Sequence, residues 1–284
     1  MRLGIASGKG GTGKTLVATN LARVMGERCL VQYVDCDVEE PNGSIFLRPL
    51  IAQSTDVSAG VPSIDKTLCT RCGRCSSFCR FGALAVMSNG VIVFPELCHS
   101  CGGCQLVCPS GALSMRDRTV GSVQSGNAGG VRFVEGRLNV GEPMAPPVIR
   151  AALDAAGAEA WVIVDSPPGT SCSVIAAIRS CDYVLLVVEP TPFGMHDFRL
   201  ALETLQALGL RGGAVINREG LGDMDVDAVC RAASIPILGR IPFDRRIAEV
   251  YARGEMVVDS LPDVRTVFEA LADAVEREAS CSRS

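Results

Sequence analysis

Read for its alternation of apolar and polar positions, the chain falls into a strand–helix rhythm. Six short apolar, β-branched runs predict buried parallel strands: Arg2–Ala6, Cys29–Asp35, Trp161–Asp165, Tyr183–Glu189, Gly213–Asn217 and Ile237–Ile241. Apolar residues recur with helical period over Leu16–Met25, Val148–Ala156, Ser173–Arg179, Met195–Leu208, Val226–Ala233 and Val264–Ala279. Pro146-Pro147 stands where a helix tolerates proline, in its first turn, and so marks a helix start. Such alternation predicts a doubly wound α/β domain with a mostly parallel sheet, its ligand loops at the carboxyl ends of the strands.

One stretch breaks the rhythm. Residues 63–115 are dense in cysteine and glycine and hold no long amphipathic pattern. They also repeat: CTRCGRCSSFCRFGAL (Cys69–Leu84) aligns without a gap on CHSCGGCQLVCPSGAL (Cys98–Leu113), 29 residues later, and every cysteine coincides. Residues 1–62 and 116–284 are therefore expected to form one α/β domain, with 63–115 a small α+β domain inserted into it. The run from Phe46 to Pro62 is polar and rich in small residues, which predicts a flexible tether. Residues 116–141 are glycine-rich with short alternating pieces such as Val131-Arg132-Phe133-Val134, which predicts β-structure leading back to the main sheet.

Charge and composition narrow the class. With 284 residues, 48% apolar, and a net charge of −4, the chain reads as a soluble globular protein with no basic footprint for nucleic acid. No apolar run reaches the ~20 residues that span a bilayer. The N-terminus runs directly into a glycine-rich loop and leaves no room for a signal peptide, so a cytoplasmic location is expected. The last helix carries Glu269, Asp273, Glu276 and Glu278 opposite its apolar stripe, which predicts packing on the core rather than on a membrane. Fourteen cysteines in a reducing compartment point to metal or redox chemistry rather than disulfides. Most of the scattered six (Cys29, Cys36, Cys172, Cys181, Cys230 and Cys281) are expected to be inert, buried small residues.

The other eight are spaced for a cluster. Cys69, Cys72, Cys75 and Cys79 follow C-x2-C-x2-C-x3-C, and Cys98, Cys101, Cys104 and Cys108 repeat it, with Pro109 after the last. Zinc favours two separated C-x2-C pairs, whereas three cysteines at successive three-residue steps wrap a cubane. In two-cluster ferredoxins the fourth cysteine of each run serves the other cluster. The expected sets are Cys69, Cys72, Cys75 with Cys108, and Cys98, Cys101, Cys104 with Cys79, around two [4Fe–4S] clusters. The other side chains of this region sum to +2, and His99, inside the second loop, is expected to be an exposed bystander.

The second chemical signal is GKGGTGKT, comprising Gly8, Lys9, Gly10, Gly11, Thr12, Gly13, Lys14 and Thr15. It fits the phosphate-loop pattern G-x-x-x-x-G-K-[ST], in which backbone N–H groups cradle phosphates, the lysine reaches the β- and γ-phosphates, and the hydroxyl meets Mg²⁺. Asp165 ends the apolar strand Trp161–Asp165, where a Walker-B-type acid is expected, and is placed to hold Mg²⁺ through water. Asp35 and Asp37 alternate at the end of another strand and so share one side of it. Asp37 is the candidate to orient or deprotonate the attacking water; Asp35 has strand capping as its alternative role.

With Lys9, DCDVEEPN (Asp35–Asn42) and DSPPGT (Asp165–Thr170), the chain resembles the MinD/ParA/Mrp group of deviant-Walker P-loop ATPases, a resemblance covering nearly its whole length. Residues 63–115 resemble a bacterial-type two-cluster ferredoxin, with Arg80 standing where the second repeat has Pro109. The first resemblance implies binding and hydrolysis of ATP, with ADP as product. It also implies that Lys9 crosses an ATP-dependent homodimer interface (or that of a heterodimer with a paralogue), that Asn217 reads adenine, and that Pro242 belongs to the adenine loop. The two together imply an ATPase that couples turnover to electron delivery to, or maturation of, a metallocluster or redox partner. An Mrp-like cluster carrier is the alternative. Cys172 lies near the position of an intersubunit cluster ligand in the nitrogenase iron protein, but 116–161 offers no second cysteine. A buried or a reactive thiol is the other reading of Cys172.

Overall fold

The computed structural model describes residues 1–157 and 159–280. Its strands are β1 (Arg2–Ala6), β2 (Val31–Asp35), β3 (Leu50–Ile64), β4 (Leu84–Met87), β5 (Gly90–Val93), β6 (Leu113–Ala128), β7 (Val131–Leu138), β8 (Trp161–Asp165), β9 (Tyr183–Val188), β10 (Gly212–Glu219) and β11 (Ile237–Pro242). All but β4 and β5 join one 9-stranded sheet in the order β11-β10-β9-β1-β8-β2-β7-β6-β3. From β11 to β7 every neighbour is parallel; β6 and β3 extend that edge antiparallel. The six strands expected from the sequence all form, with ends shifted by a residue or two.

Alternation within each central strand explains the layers. In β8, Val162 and Val164 face one side and Ile163 the other. On the first side lie helices Pro146–Asp154, Cys172–Ile178, Pro192–Ala207 and Val226–Ala232; on the second, Lys14–Gly26, Arg245–Ala252 and Pro262–Ser280. The last helix docks through Val264, Phe268, Leu271, Ala272 and Val275, all buried, as its apolar stripe predicts. Burying one such side chain contributes about 1.5–3 kcal/mol, so this helix is an integral part of the core.

The flexible tether expected over Phe46 to Pro62 is not what forms. After the short helix Gly43–Leu47, β3 pairs with β6 from Leu50↔Asn127 out to Ile64↔Leu113. Polar side chains misled here because a ladder is held by backbone hydrogen bonds, and Thr, Val and Ser tolerate an exposed strand. The β6–β7 ladder ends at Gly121↔Leu138, so beyond that pair β3 and β6 continue alone as a two-stranded arm.

Residues 65–112 fold at the end of the arm around Leu84, Cys104 and Leu113, with the β4–β5 hairpin and two short helices, Arg74–Phe78 and Gly103–Leu106. The sequence repeat is also a backbone repeat. Arg71 and Ser100 have φ of 58° and 54°, Gly73 and Gly102 of 81° and 71°, Gly82 and Gly111 of 66° and 62°. Asp65 N–H donates to Ala112 O and, one repeat on, Phe94 N–H donates to Ala83 O, both at 2.8 Å. Among the described residues no helix is long and apolar enough to cross a membrane.

Candidate functional site

The phosphate loop leaves β1 and turns into helix Lys14–Gly26. Gly13, at φ 93°, has Asn217 Nδ2 2.3 Å from where a Cβ would stand, so only glycine fits this turn. Beside the loop lies a cavity of about 410 Å³ lined by Gly10, Gly11, Gly13, Lys14 and Thr15 at one end and by Pro242, Phe243, Ile247 and Tyr251 at the other. Asp37 and Asn217 line it too. Gly8 is packed against the backbone of Asp197, and Thr12 is buried. A polyanion with a planar apolar group matches that division.

Asp35 and Asp165 lie opposite each other on neighbouring parallel strands, in register. Both are fully buried, and burial raises the pKa of each; their mutual repulsion adds to that of Asp35. Tyr33, two residues before Asp35 and therefore on its face, donates from its hydroxyl to Asp165 Oδ2 at 2.9 Å. Asp35 accepts the N–H groups of Asp37 (3.1 Å) and Gly43 (2.9 Å), so it holds the following loop in addition to ending the strand. Gly43 is required there, since a Cβ would meet Tyr33 Oη at 2.3 Å.

Asp165 Oδ1 is buried with no hydrogen-bond partner, although Thr15 is near enough to help hold the charge. An orphaned carboxylate oxygen beside a threonine hydroxyl is a fitting donor set for Mg²⁺. Lys14 is buried, which lowers its pKa, while Asp165, Asp37 and Asp35 act to keep it charged. Asp37 is pushed up to about 6, chiefly by burial, with Lys14 opposing.

Lys9 does not line the cavity. Its Nζ lies 3.8 Å from Glu189 Oε2, a buried carboxylate at the end of β9. Arg218, at φ 57°, donates to the other oxygen of Glu189 at 2.5 Å and itself lines the cavity. Asn217 Nδ2 donates to Thr12 O at 2.7 Å and its Oδ1 accepts Arg218 N–H, so it clamps the phosphate loop. Tyr33, Glu189 and Arg218 escaped the sequence reading. Only Tyr33 had a local signal, its two-residue spacing from Asp35.

The cysteines stand apart, at the end of the arm. One hollow is lined by Cys69, Cys72, Cys75 and Cys108; another by Cys79, Cys98, Cys101 and Cys104. The first is tight, about 20 Å³, and the second about 400 Å³, extending beneath His99 and Phe81. Those two rings stack with centroids 3.5 Å apart; His99 is exposed, as expected, but not unpartnered. Among the described residues no three His, Cys, Asp or Glu side chains converge closely enough to hold a single metal ion. Of the scattered cysteines, Cys36, Cys181 and Cys230 are buried, Cys29 is half-buried, and Cys281 lies outside the described residues. Cys172 is exposed at the start of its helix, which removes the buried-thiol reading.

Comparison with known proteins agrees with this architecture. The uncharacterized protein MJ0578 of Methanocaldococcus jannaschii is 32% identical over 263 residues, 92% of this chain and 91% of that protein. A cytosolic Fe-S cluster assembly factor Nubp2 homolog of Aedes aegypti is 26% identical over 140 residues, 42% of this chain and 54% of its own length. Among solved structures, the septum site-determining protein MinD of Pyrococcus horikoshii, complexed with Mg-ADP, superposes with a TM-score of 0.61 at 21% identity, covering 98% of this chain and 96% of that one. The family described as the CobQ/CobB/MinD/ParA nucleotide binding domain matches residues 3–258, and the chain belongs to it.

Proposed function

We propose that the chain is a Mg²⁺-dependent ATPase carrying two [4Fe–4S] clusters, which couples nucleotide turnover to electron delivery to, or maturation of, a metallocluster partner. In this reading residues 63–115 are a ferredoxin-type domain inserted between residues 1–62 and 116–284. The observation that carries it is the composition of the two hollows. Each draws three cysteines from one run and the fourth from the other, the exchange that two-cluster ferredoxins use. That no single-ion site forms among the described residues is compatible with this, because a cubane spreads its thiolates wider than one ion does. Bound clusters would supply one-electron chemistry.

At the nucleotide, the backbone N–H groups of Gly10–Thr15 and the Lys14 ammonium receive the phosphates. Thr15 and Asp165 would hold Mg²⁺, which neutralises phosphate charge when bound. Asp37 orients the attacking water and accepts its proton, for which a pKa near 6 suits it. Lys9 leaves Glu189 to reach the phosphates of a second copy, so ATP binding drives dimerisation.

The test is metal content together with turnover. Anaerobically purified protein should contain about eight irons and eight sulfides per chain and hydrolyse ATP with Mg²⁺. ATP should also accelerate oxidation of its dithionite-reduced clusters by an acceptor protein. Stoichiometric zinc without sulfide would overturn the cluster reading. The similarity to a Nubp2 homolog favours a second reading, an Mrp-like cluster carrier. Iron and sulfide passing together to an apo-ferredoxin during ATP turnover would select it.

A further inference from the structure

The arm leaves the sheet at one identifiable point. Val57 pairs with Gly121 but the next residue, Ser58, pairs with Thr119, so Val120 is an extra residue bulged out of the ladder. This bulge coincides with the last β6–β7 pair, Gly121↔Leu138. Inward of it β6 pairs with a strand on both edges; outward its strand pairing is with β3.

A single turn grips this branch point. Asn139, the residue after β7, donates its backbone N–H to Val120 O at 2.9 Å and its side-chain amide to Thr119 O at 3.3 Å. Glu142 closes the turn onto Asn139 O at 3.0 Å and pairs with Arg118 on the arm at 2.6 Å. The Glu142 side chain is only 4% exposed, so separating it from Arg118 would leave a buried charge uncompensated.

The same strand end is bonded to the nucleotide site. Leu138 donates its N–H to Val38 O at 2.8 Å, and Val38 directly follows Asp37. The Val38 side chain is buried against the backbone of β7: a Cβ on Gly136 would come 2.7 Å from Val38 Cγ1. Leu138, the last residue of β7, and Asn139 directly after it thus connect the Asp37 loop on one side with the root of the arm on the other. Packed contacts of this kind shift between discrete arrangements rather than stretch.

We infer that Asn139 and Glu142 are positioning residues that transmit the state of the Asp37–Val38 loop to the arm and so set the pose of the cysteine lobe. The inference rests on the nucleotide reading of the cavity and names how that site would reach the cysteines. Because the arm is a paired ladder, a small rotation at Val120 is carried outward along its length rather than dissipated as in a slack tether.

Hydrogen exchange on the full, anaerobically purified chain tests it, with Mg²⁺ and adenylyl-imidodiphosphate as the probe. Two peptides are followed, one over the phosphate loop and one over 115–124 at the arm root. In the unaltered chain the probe should protect the first and change exchange of the second by about fivefold or more, the lower end of allosteric coupling. Asn139→Pro, which removes both Asn139 bonds, should abolish the second change and leave the first. Asn139→Ala with Glu142→Gln keeps the backbone bond, is expected to shrink the change by half or more, and covers the case in which the proline variant does not fold. A protected phosphate loop with an unchanged arm root would overturn the inference but not the nucleotide reading. An arm-root change that survives in the variants would overturn the role of Asn139 and Glu142. An unprotected phosphate loop would overturn the nucleotide reading, and the inference with it.

Discussion

Lys9 and Glu189 form a loose ion pair, Nζ to Oε2 at 3.8 Å, in which the carboxylate is buried and already bonded to Arg218. Two partly exposed cations share one carboxylate, and Lys9 is the more distant one. Releasing it leaves a neutral Glu189–Arg218 pair rather than an uncompensated buried charge. A partly exposed pair of this length contributes about 0–1 kcal/mol.

Lys9→Ala should therefore change stability by less than about 1 kcal/mol, so any large functional loss is not an unfolding effect. Nucleotide binding to the monomer should be nearly intact, while ATP-dependent dimerisation and hydrolysis disappear. Light scattering after size exclusion, with and without ATP, checks this. A variant that dimerises and turns over normally would remove Lys9 from the mechanism. Lys14→Ala, by contrast, should abolish nucleotide binding itself.

Asp37→Asn should abolish hydrolysis and make the nucleotide-free protein more stable at neutral pH. The folded chain keeps the Asp37 proton up to about pH 6, whereas the unfolded chain releases it at the ordinary carboxylate value. Folding stability therefore falls as pH rises through that window, and the cost is fully present above it. Allowing for solvent screening at this partly buried site, the cost is about 1–2 kcal/mol. Melting temperatures of both proteins at pH 7.5 and near pH 4 should differ at the first and converge at the second.

Tyr33→Phe removes the hydroxyl that serves Asp165 Oδ2 and leaves a second buried oxygen of that carboxylate without a donor. The expected cost is about 1–3 kcal/mol in the nucleotide-free protein. Added Mg²⁺ and nucleotide should recover part of it, because the cation would satisfy the same carboxylate. Urea unfolding with and without MgADP measures both effects. Equal loss in the two conditions would separate Tyr33 from the metal site.

The crossed cysteine sets have a signature in iron counting. Cys79 and Cys98 belong to different runs but line the same hollow. Cys79→Ser combined with Cys98→Ser should therefore remove one cluster and leave about four irons per chain. If each run instead held its own cluster, the double variant would damage both. Iron and sulfide analysis under argon distinguishes the two results.

The sequence alone determined the parts whose chemistry depends on neighbours along the chain. A phosphate loop needs its glycines, lysine and threonine close together along the chain, and buried strands need unbroken β-branched runs. Each of these is a local pattern, and each was legible, as was the 29-residue repeat that reappears in the paired positive φ angles of Arg71 and Ser100. Only the tertiary structure decided what lies across the sheet. Parallel register sets Asp35 beside Asp165 and brings Tyr33 to both, while the ends of β9 and β10 carry Glu189 and Arg218 to Lys9. The polar run after Phe46 read as a tether because its composition is that of a loop. It became a strand because β6 offered a complementary backbone more than fifty residues away, and hydrogen bonding between main chains leaves almost no mark on side-chain identity.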